Sequence, residues 1–180
     1  GSHLLLAAGR LANVDGLGLE AAGVTLDNGR IVVPGGGLRT TNPRIYAIGD
    51  AAGGYQFTHV AEHHAGIVLR QALFRMWWAR PSPLVPWCTF TDPEVARVGL
   101  NEDEARQQNI AYEVTRYELD DLDRAIADGE AHGFIKVLTE PGRDRILGAT
   151  IVGYHASELI NEFVLAMKHG LGLGKILSTI

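Results

Sequence analysis

One carboxylate stands directly after a short apolar stretch in the first third of the chain. Residues Ile45–Ile48 predict a buried strand, and Gly49 and Asp50 follow it at once. Ligands of open α/β sheets bind beyond the carboxyl ends of the strands. Because a carboxylate accepts hydrogen bonds without donating any, Asp50 could hold the hydroxyl groups of a sugar or ribityl chain. It could equally cap a turn, and a short motif of this kind does not separate the two roles.

A second group of candidate residues, Thr58, His59, Val60 and Ala61, lies at the predicted start of a helix. The first N–H groups of a helix lack intrahelical partners, and the helix dipole favours an anionic or electron-rich group beside them. The alternative role is simple capping of the helix by Thr58, which is the commoner use of such a residue.

The histidines and the cysteine indicate neither a metal centre nor a nucleophile. His59 and His63 are four residues apart on the predicted helix and could share an ion. No cysteine or carboxylate pattern completes a known zinc spacing, so we expect surface or interface histidines and no metal. Cys88 is the single cysteine and cannot form a dithiol centre. We expect it to be a buried, inert thiol.

The composition narrows the classes of partner and compartment. The net charge is -5 and the 16 basic residues are spread along the chain, which argues against nucleic acid or an anionic membrane surface. No apolar run is long enough to cross a bilayer. One cysteine is typical of a reducing compartment, and we expect the cytoplasm. Residues 1–3 resemble the remnant of an expression tag.

The first half of the chain predicts strands and one long helix around these candidate residues. The apolar run Leu4–Ala8 predicts a strand buried on both faces, and the Asn-Gly pair within residues 24–33 predicts a hairpin. Arg44–Ile48 predicts another buried strand. A helix is predicted from Thr58 to Ala79, with its buried face formed by Ala65, Val68, Leu69, Ala72, Leu73 and Met76.

The second half predicts an α+β layer with an antiparallel sheet. The proline-rich stretch 81–83 predicts a boundary between domains at 4–82 and 83–180. Asn101 and Glu104 have the spacing of a capping box. The predicted strands are 87–90, 95–98, 110–117, 134–138 and 146–152, and the predicted helices are 102–108 and 157–169.

Four stretches, in this order and spacing, resemble the flavin-dependent pyridine nucleotide–disulfide oxidoreductases, nearest the mercuric reductase and dihydrolipoamide dehydrogenase branch. They are TTNPRIYAIGDAAGG, YQFTHVAEHHAGI, CTFTDPEVARVGL and DRAIADGEAHGFIKV. The resemblance implies that Gly49 and Asp50 bind the ribityl or ribose part of FAD. It implies that Thr58, His59, Val60 and Ala61 face the pyrimidine end of the flavin, and that Gly9 lies near the nicotinamide nucleotide.

The resemblance also implies a fold and a partner. Residues 4–82 would be the incomplete end of the NAD(P)- and FAD-binding domains, and residues 83–180 a homodimerisation domain lacking its C-terminal end. Where the family usually has Arg-x-Pro-Asn, this chain has Arg10-Leu11-Ala12-Asn13, a change that we expect to alter only a turn.

Several of the family's motifs do not occur in this sequence. It contains no Gly-x-Gly-x-x-Gly fingerprint for the FAD pyrophosphate, no Cys-x-x-x-x-Cys, no second glycine-rich motif for NAD(P) and no His-Glu acid–base pair. We therefore expect a C-terminal fragment of an FAD-dependent NAD(P)H oxidoreductase that carries no catalytic residue. By itself, such a fragment should be inactive and should retain neither FAD nor NAD(P) as a stoichiometric complex.

An alternative function is a non-catalytic dimerisation module without a cofactor. A flavin binder depends on Asp50, whereas a dimerisation module does not. The missing N-terminal domains would leave apolar surface exposed at Leu4–Leu6, Ile45–Ile48, Val68 and Leu73. We therefore expect a dimer or larger assembly with a rearranged first 80 residues.

Overall fold

The computed structural model describes residues 1–180, and the chain forms two compact units, Gly1–Ser82 and Pro83–Ile180. None of the helices has both the length and the apolar character that a membrane-spanning segment needs. Each unit has its own sheet, with two strands in the first and five in the second.

The first unit contains the predicted hairpin. Strands β1 (Leu26–Asp27) and β2 (Arg30–Ile31) pair antiparallel, with Leu26 opposite Ile31. Asn28 and Gly29 have φ values of 47° and 74°, as a tight two-residue hairpin turn requires. The turn chemistry in the sequence is therefore confirmed.

Two predicted strands of this unit do not form. Leu4, Leu5 and Leu6 are 85%, 87% and 82% exposed and have no regular structure. No strand pairs with this run, so its apolar character has no ladder to join. Residues 44–48 form an isolated bridge between Tyr46 and Arg39 instead of a strand, and Ile48 is 39% exposed.

Helix α1 spans Thr58–Ala72 and is shorter than predicted. Its buried residues are Val60, His64, Ile67 and Gln71, so the predicted helical period is right and the predicted face is wrong. Polar residues can face inward because the Gly49 N–H donates to His64, and Gln71 donates through Nε2 to the Ala79 carbonyl at 2.7 Å. The predicted apolar face is exposed at Leu69 and Leu73.

The second unit confirms the α+β fold with an antiparallel sheet. Its five strands are β3 (Trp87–Thr89), β4 (Glu94–Gly99), β5 (Glu113–Glu118), β6 (Phe134–Thr139) and β7 (Ile146–Gly153). They lie in the order β3-β4-β7-β6-β5, and every neighbouring pair is antiparallel.

Four helices complete this unit: α2 (Glu102–Gln107), α3 (Asp123–Asp128), α4 (Ala156–Lys168) and α5 (Leu173–Leu177). Helix α4 packs on β4 and β7. The core between helix and sheet consists of Ala96, Val98, Val137, Ala149, Ile151, Ile160, Phe163 and Ala166, with Ile146 and Ala156 at its ends.

The capping box at α2 is also confirmed. The Asn101 side chain accepts from the Glu104 N–H, and the Glu104 carboxylate accepts from the Asn101 N–H. The same carboxylate pairs with Arg97 on β4, and this hydrogen bond is the main cause that lowers the pKa of Glu104. The cap thus fixes α2 to the sheet.

Candidate functional site

The turn that carries Asp50 is a short 3-10 helix, Gly49–Ala52, in the first unit. Gly49 is buried and has a φ of 58°, a conformation that L side chains adopt at a cost. A Cβ added at Gly49 would lie 2.9 Å from the Cβ of Ala61. Glycine therefore lets the turn pack directly against the start of α1.

A buried histidine holds this turn in place. The Gly49 N–H donates to Nδ1 of His64 with 3.2 Å between the nitrogens, and His64 is 8% exposed. Burial, and to a smaller extent the neighbouring His63, lowers the pKa of His64. A neutral ring that accepts at Nδ1 carries its proton at Nε2.

The Asp50 side chain is half-buried. Its backbone carbonyl accepts from the Gly53 N–H at 3.1 Å, whereas its carboxylate forms no hydrogen bond or ion pair within the first unit. Of the two roles that the sequence left open, the turn is closed by the main chain and not by the side chain. The carboxylate can therefore accept hydrogen bonds from a ligand.

The start of α1 offers a backbone donor near this turn. Phe57 precedes the helix without a side-chain cap, and its carbonyl accepts from the N–H groups of Val60 and Ala61. Thr58 is exposed and makes no capping bond through its hydroxyl, so capping by Thr58 is wrong. Its N–H has no acceptor in the first unit.

Aromatic rings line the approach to this helix start. The rings of Phe57 and His59 are stacked with 5.3 Å between centroids, and those of Tyr55 and Phe57 with 6.0 Å. His59 is exposed, whereas Val60 is buried. Val60 therefore contributes core packing, and only its main chain could contact a ligand.

The remaining candidates lie outside this arrangement. Gly9 sits in an exposed irregular segment with a φ of 91°, and its role near a nucleotide stays a prediction. His63 accepts from the Ser82 N–H at 3.2 Å. Cys88 is half-buried in β3, and burial is the main cause that raises the pKa of its thiol, as expected for an unreactive cysteine.

Sequence reasoning missed His64. The residue lies one turn after Val60 on the buried face of α1, but a histidine among apolar residues gives no sign of its hydrogen-bond partner. The buried N–H of Gly49 needs an acceptor. This need arises from the packing of the turn against the helix, which the sequence alone does not reveal.

Two family models match the chain. The model described as "Pyridine nucleotide-disulphide oxidoreductase, dimerisation domain" matches residues 85–180, and "Pyridine nucleotide-disulphide oxidoreductase" matches residues 1–65. The chain therefore belongs to the pyridine nucleotide-disulphide oxidoreductase family.

Curated relatives agree with this assignment. The dihydrolipoyl dehydrogenase of Chlamydia trachomatis serovar D is 39% identical over 178 residues, which cover 99% of this chain and 38% of the relative. The mycothione reductase of Mycobacterium tuberculosis is 37% identical and covers 93% of this chain and 38% of its own length. The chain thus spans little more than a third of these relatives.

Solved structures share the fold. LpdA from Mycobacterium tuberculosis superposes with a TM-score of 0.89 at 30% identity, over 100% of this chain and 39% of that one. The HOCl-induced flavoprotein disulfide reductase RclA from Escherichia coli gives a TM-score of 0.86 at 29% identity, over 97% of this chain and 40% of that one.

Proposed function

We propose that this chain supplies part of the flavin site and the self-association domain of an FAD-dependent NAD(P)H oxidoreductase that acts on a disulfide or similar acceptor. The main support for the proposal is the half-buried Asp50 carboxylate, which has no partner in the first unit. The turn that bears it is joined to α1 by the Gly49–His64 hydrogen bond. Its neighbours in the site are the glycine at 49 and the backbone of residues 58–61.

The chemistry of these groups suits a flavin nucleotide. A carboxylate binds ribityl or ribose hydroxyls as an acceptor, and the N-terminal end of a helix stabilises an electron-rich group such as the pyrimidine end of a reduced flavin. FAD would supply the redox chemistry, and the residues of this chain would orient it and tune its charge. NAD(P) would be the hydride donor in the complete enzyme, with Gly9 near the nicotinamide nucleotide.

The second unit supplies the partner surface in this proposal. Residues 83–180 would form a homodimer, in agreement with the dimerisation-domain match over 85–180. The remaining partners would be the N-terminal domains of the complete enzyme, with neither nucleic acid nor a membrane involved. We propose a cytoplasmic location, because a single unpaired cysteine is typical of a reducing compartment.

The chain contains no redox-active cysteine pair and no pyrophosphate fingerprint. We therefore expect the chain to be inactive by itself and to bind FAD only weakly and with rapid dissociation. After mixing with excess FAD, gel filtration should separate a colourless protein from the flavin. A yellow complex with one FAD per chain would contradict this part of the proposal.

The role of Asp50 can be tested by measuring the affinity for FAD in equilibrium dialysis at high FAD concentration. Hydrogen bonds to a charged group contribute about 1.5–3 kcal/mol, so Asp50→Ala should weaken the residual affinity about tenfold or more. Asp15→Ala removes an exposed carboxylate of the same unit and should leave the affinity unchanged. Equal affinities of Asp50→Ala and the unaltered chain would contradict the proposed role.

A further inference from the structure

Three metal-ligating side chains converge at one end of the five-stranded sheet. Asp92, Glu130 and His132 each offer one ligand atom, and these atoms all lie within 4.8 Å of one another. Glu130 is half-buried and the other two are exposed. The group lies wholly in the second unit and is separate from the Gly49–Asp50 turn.

The strand register explains why residues so distant in sequence meet. Glu94 at the start of β4 pairs with Gly153, and Phe134 at the start of β6 pairs with Val152. The starts of β4 and β6 therefore flank the end of β7, the strand between them. Asp92 lies two residues before β4, and His132 lies two residues before β6.

The main chain that carries Glu130 and His132 is fixed. The His132 N–H donates to the Glu130 carbonyl at 2.7 Å, and the Gly133 carbonyl accepts from the Leu119 N–H at 3.0 Å. A side chain at Gly133 would collide with the carbonyl of Val152. The ligand-bearing backbone thus needs little reorganisation, whereas the exposed side chains can still rotate.

No lysine or arginine of the second unit neutralises the two carboxylates of the group. His132 Nε2 lies 3.5 Å from Glu130 Oε2, and neither Glu130 nor Asp92 forms an ion pair with a lysine or arginine of the second unit. The two carboxylates therefore carry negative charge that a divalent cation would balance.

We propose that Asp92, Glu130 and His132 form a Zn²⁺ site. Imidazole nitrogen and carboxylate oxygen are both ordinary zinc ligands at about 2.0–2.2 Å, which places neighbouring ligand atoms roughly 3.4 Å apart. Small side-chain rotations close the present spacing to that value. Mg²⁺ and Ca²⁺ prefer all-oxygen sites, so the histidine selects for zinc and similar transition metals.

Binding at this site links the turn before β4 to the segment before β6. Because the ion binds the folded arrangement, saturating Zn²⁺ raises the thermal stability of the second unit.

The test is calorimetric titration of the whole chain with ZnCl₂ at neutral pH. We expect the unaltered chain to bind one equivalent of Zn²⁺. In both His132→Ala and Asp92→Asn, this equivalent should be lost or bound at least tenfold more weakly. His169→Ala, at the end of α4, and His63→Ala should retain it. MgCl₂ should give no comparable signal.

Two further measurements make the result decisive. Circular dichroism checks that the variants are folded, which we expect because the substituted side chains are exposed. Co²⁺ absorption then reports whether the ion is held in a site of low coordination number in the unaltered chain and whether that signal is lost in His132→Ala. Unchanged zinc binding by His132→Ala, or its loss in His63→Ala, overturns the proposal.

Discussion

The backbone N–H of Gly49 donates a hydrogen bond to Nδ1 of His64 across 3.2 Å. This bond joins the turn of Asp50 to the second turn of α1. Since a protonated imidazole has no acceptor nitrogen, the bond exists only while His64 is neutral. One buried, uncharged ring therefore sets where the Asp50 carboxylate lies relative to the helix start.

The stability of the first unit should depend on pH through His64. Burial, followed by His63, lowers the pKa of His64 in the folded chain, so the unfolded state binds this proton more readily. The stability of the first unit should therefore be full above the unfolded-state pKa of about 6.5 and decline as the pH falls below it. Hydrogen exchange at the Gly49 amide, corrected for its intrinsic rate, should show the loss of protection.

Variants separate His64 from the other histidines. His64→Leu leaves the Gly49 N–H without an acceptor and should cost about 1–3 kcal/mol at neutral pH, and it should abolish the pH dependence near 6.5. His169→Ala should preserve both. Protection of the Gly49 amide that is independent of pH would show that His64 does not hold the turn.

The second prediction concerns Gly49 itself. Gly49→Ala adds a Cβ that would lie 2.9 Å from the Cβ of Ala61 at a φ of 58°. Gly54→Ala is the matched control, because its φ is 80° and no atom lies within 4 Å of the added Cβ. Both variants carry the backbone cost of about 1–2 kcal/mol, and Gly49→Ala adds about 1–3 kcal/mol for the close contact. Chemical denaturation of the first unit measures the difference, and equal losses would refute tight packing at Gly49.

The third prediction concerns Glu94 and helix α4. Glu94 Oε2 accepts from the Ser157 N–H at 2.9 Å, and this bond is the main cause that lowers the pKa of Glu94, with smaller contributions from the Ser157 hydroxyl and His155. A lowered carboxyl pKa stabilises the fold above the unfolded value of about 4.3 and ceases to do so as the pH falls through the folded value.

Glu94→Gln should therefore reduce the stability of the second unit by about 1 kcal/mol at neutral pH, and the difference should shrink below about pH 4. Melting temperatures across pH values measure this trend. Glu162→Gln, on the exposed face of the same helix, should change little at any pH. A constant deficit of Glu94→Gln down to pH 3 would mean that the carboxylate charge is not responsible.

The fourth prediction concerns self-association. The second unit exposes large apolar side chains on its surface, among them Phe90 at 78%, Leu165 at 61% and Leu177 at 79%. Together with the dimerisation-domain match over residues 85–180, this exposure favours cover by a partner. Light scattering should show a dimer or a larger species at micromolar concentration, and a monodisperse monomer across the accessible range would contradict the expectation.

The second unit was largely predictable because its sequence signals are local. The capping box at Asn101 and Glu104 fixes the start of α2 without distant information. The predicted helix 157–169 corresponds to α4, whose Ile160 and Phe163 lie in the core. These local signals agree with the tertiary structure, so the α+β fold followed from them.

The first unit was less predictable because its decisive contacts join distant residues. Apolar content assigned Leu4–Ala8 to a strand, yet no strand pairs with it. Helical periodicity gave the period of α1 but not its buried face, since His64 and Gln71 become acceptable inside only when Gly49 and Ala79 satisfy them. The meeting of Asp92 with His132 likewise depends on strand register, which residue spacing does not reveal.

The most direct measurement of the flavin-site proposal is an amide NMR titration of the ¹⁵N-labelled chain with FAD. We expect fast-exchange shifts concentrated at Gly49, Asp50 and residues 58–61, and their strong reduction in Asp50→Ala. Shifts confined to the second unit, or none at millimolar FAD, would contradict the assignment of this turn to the flavin.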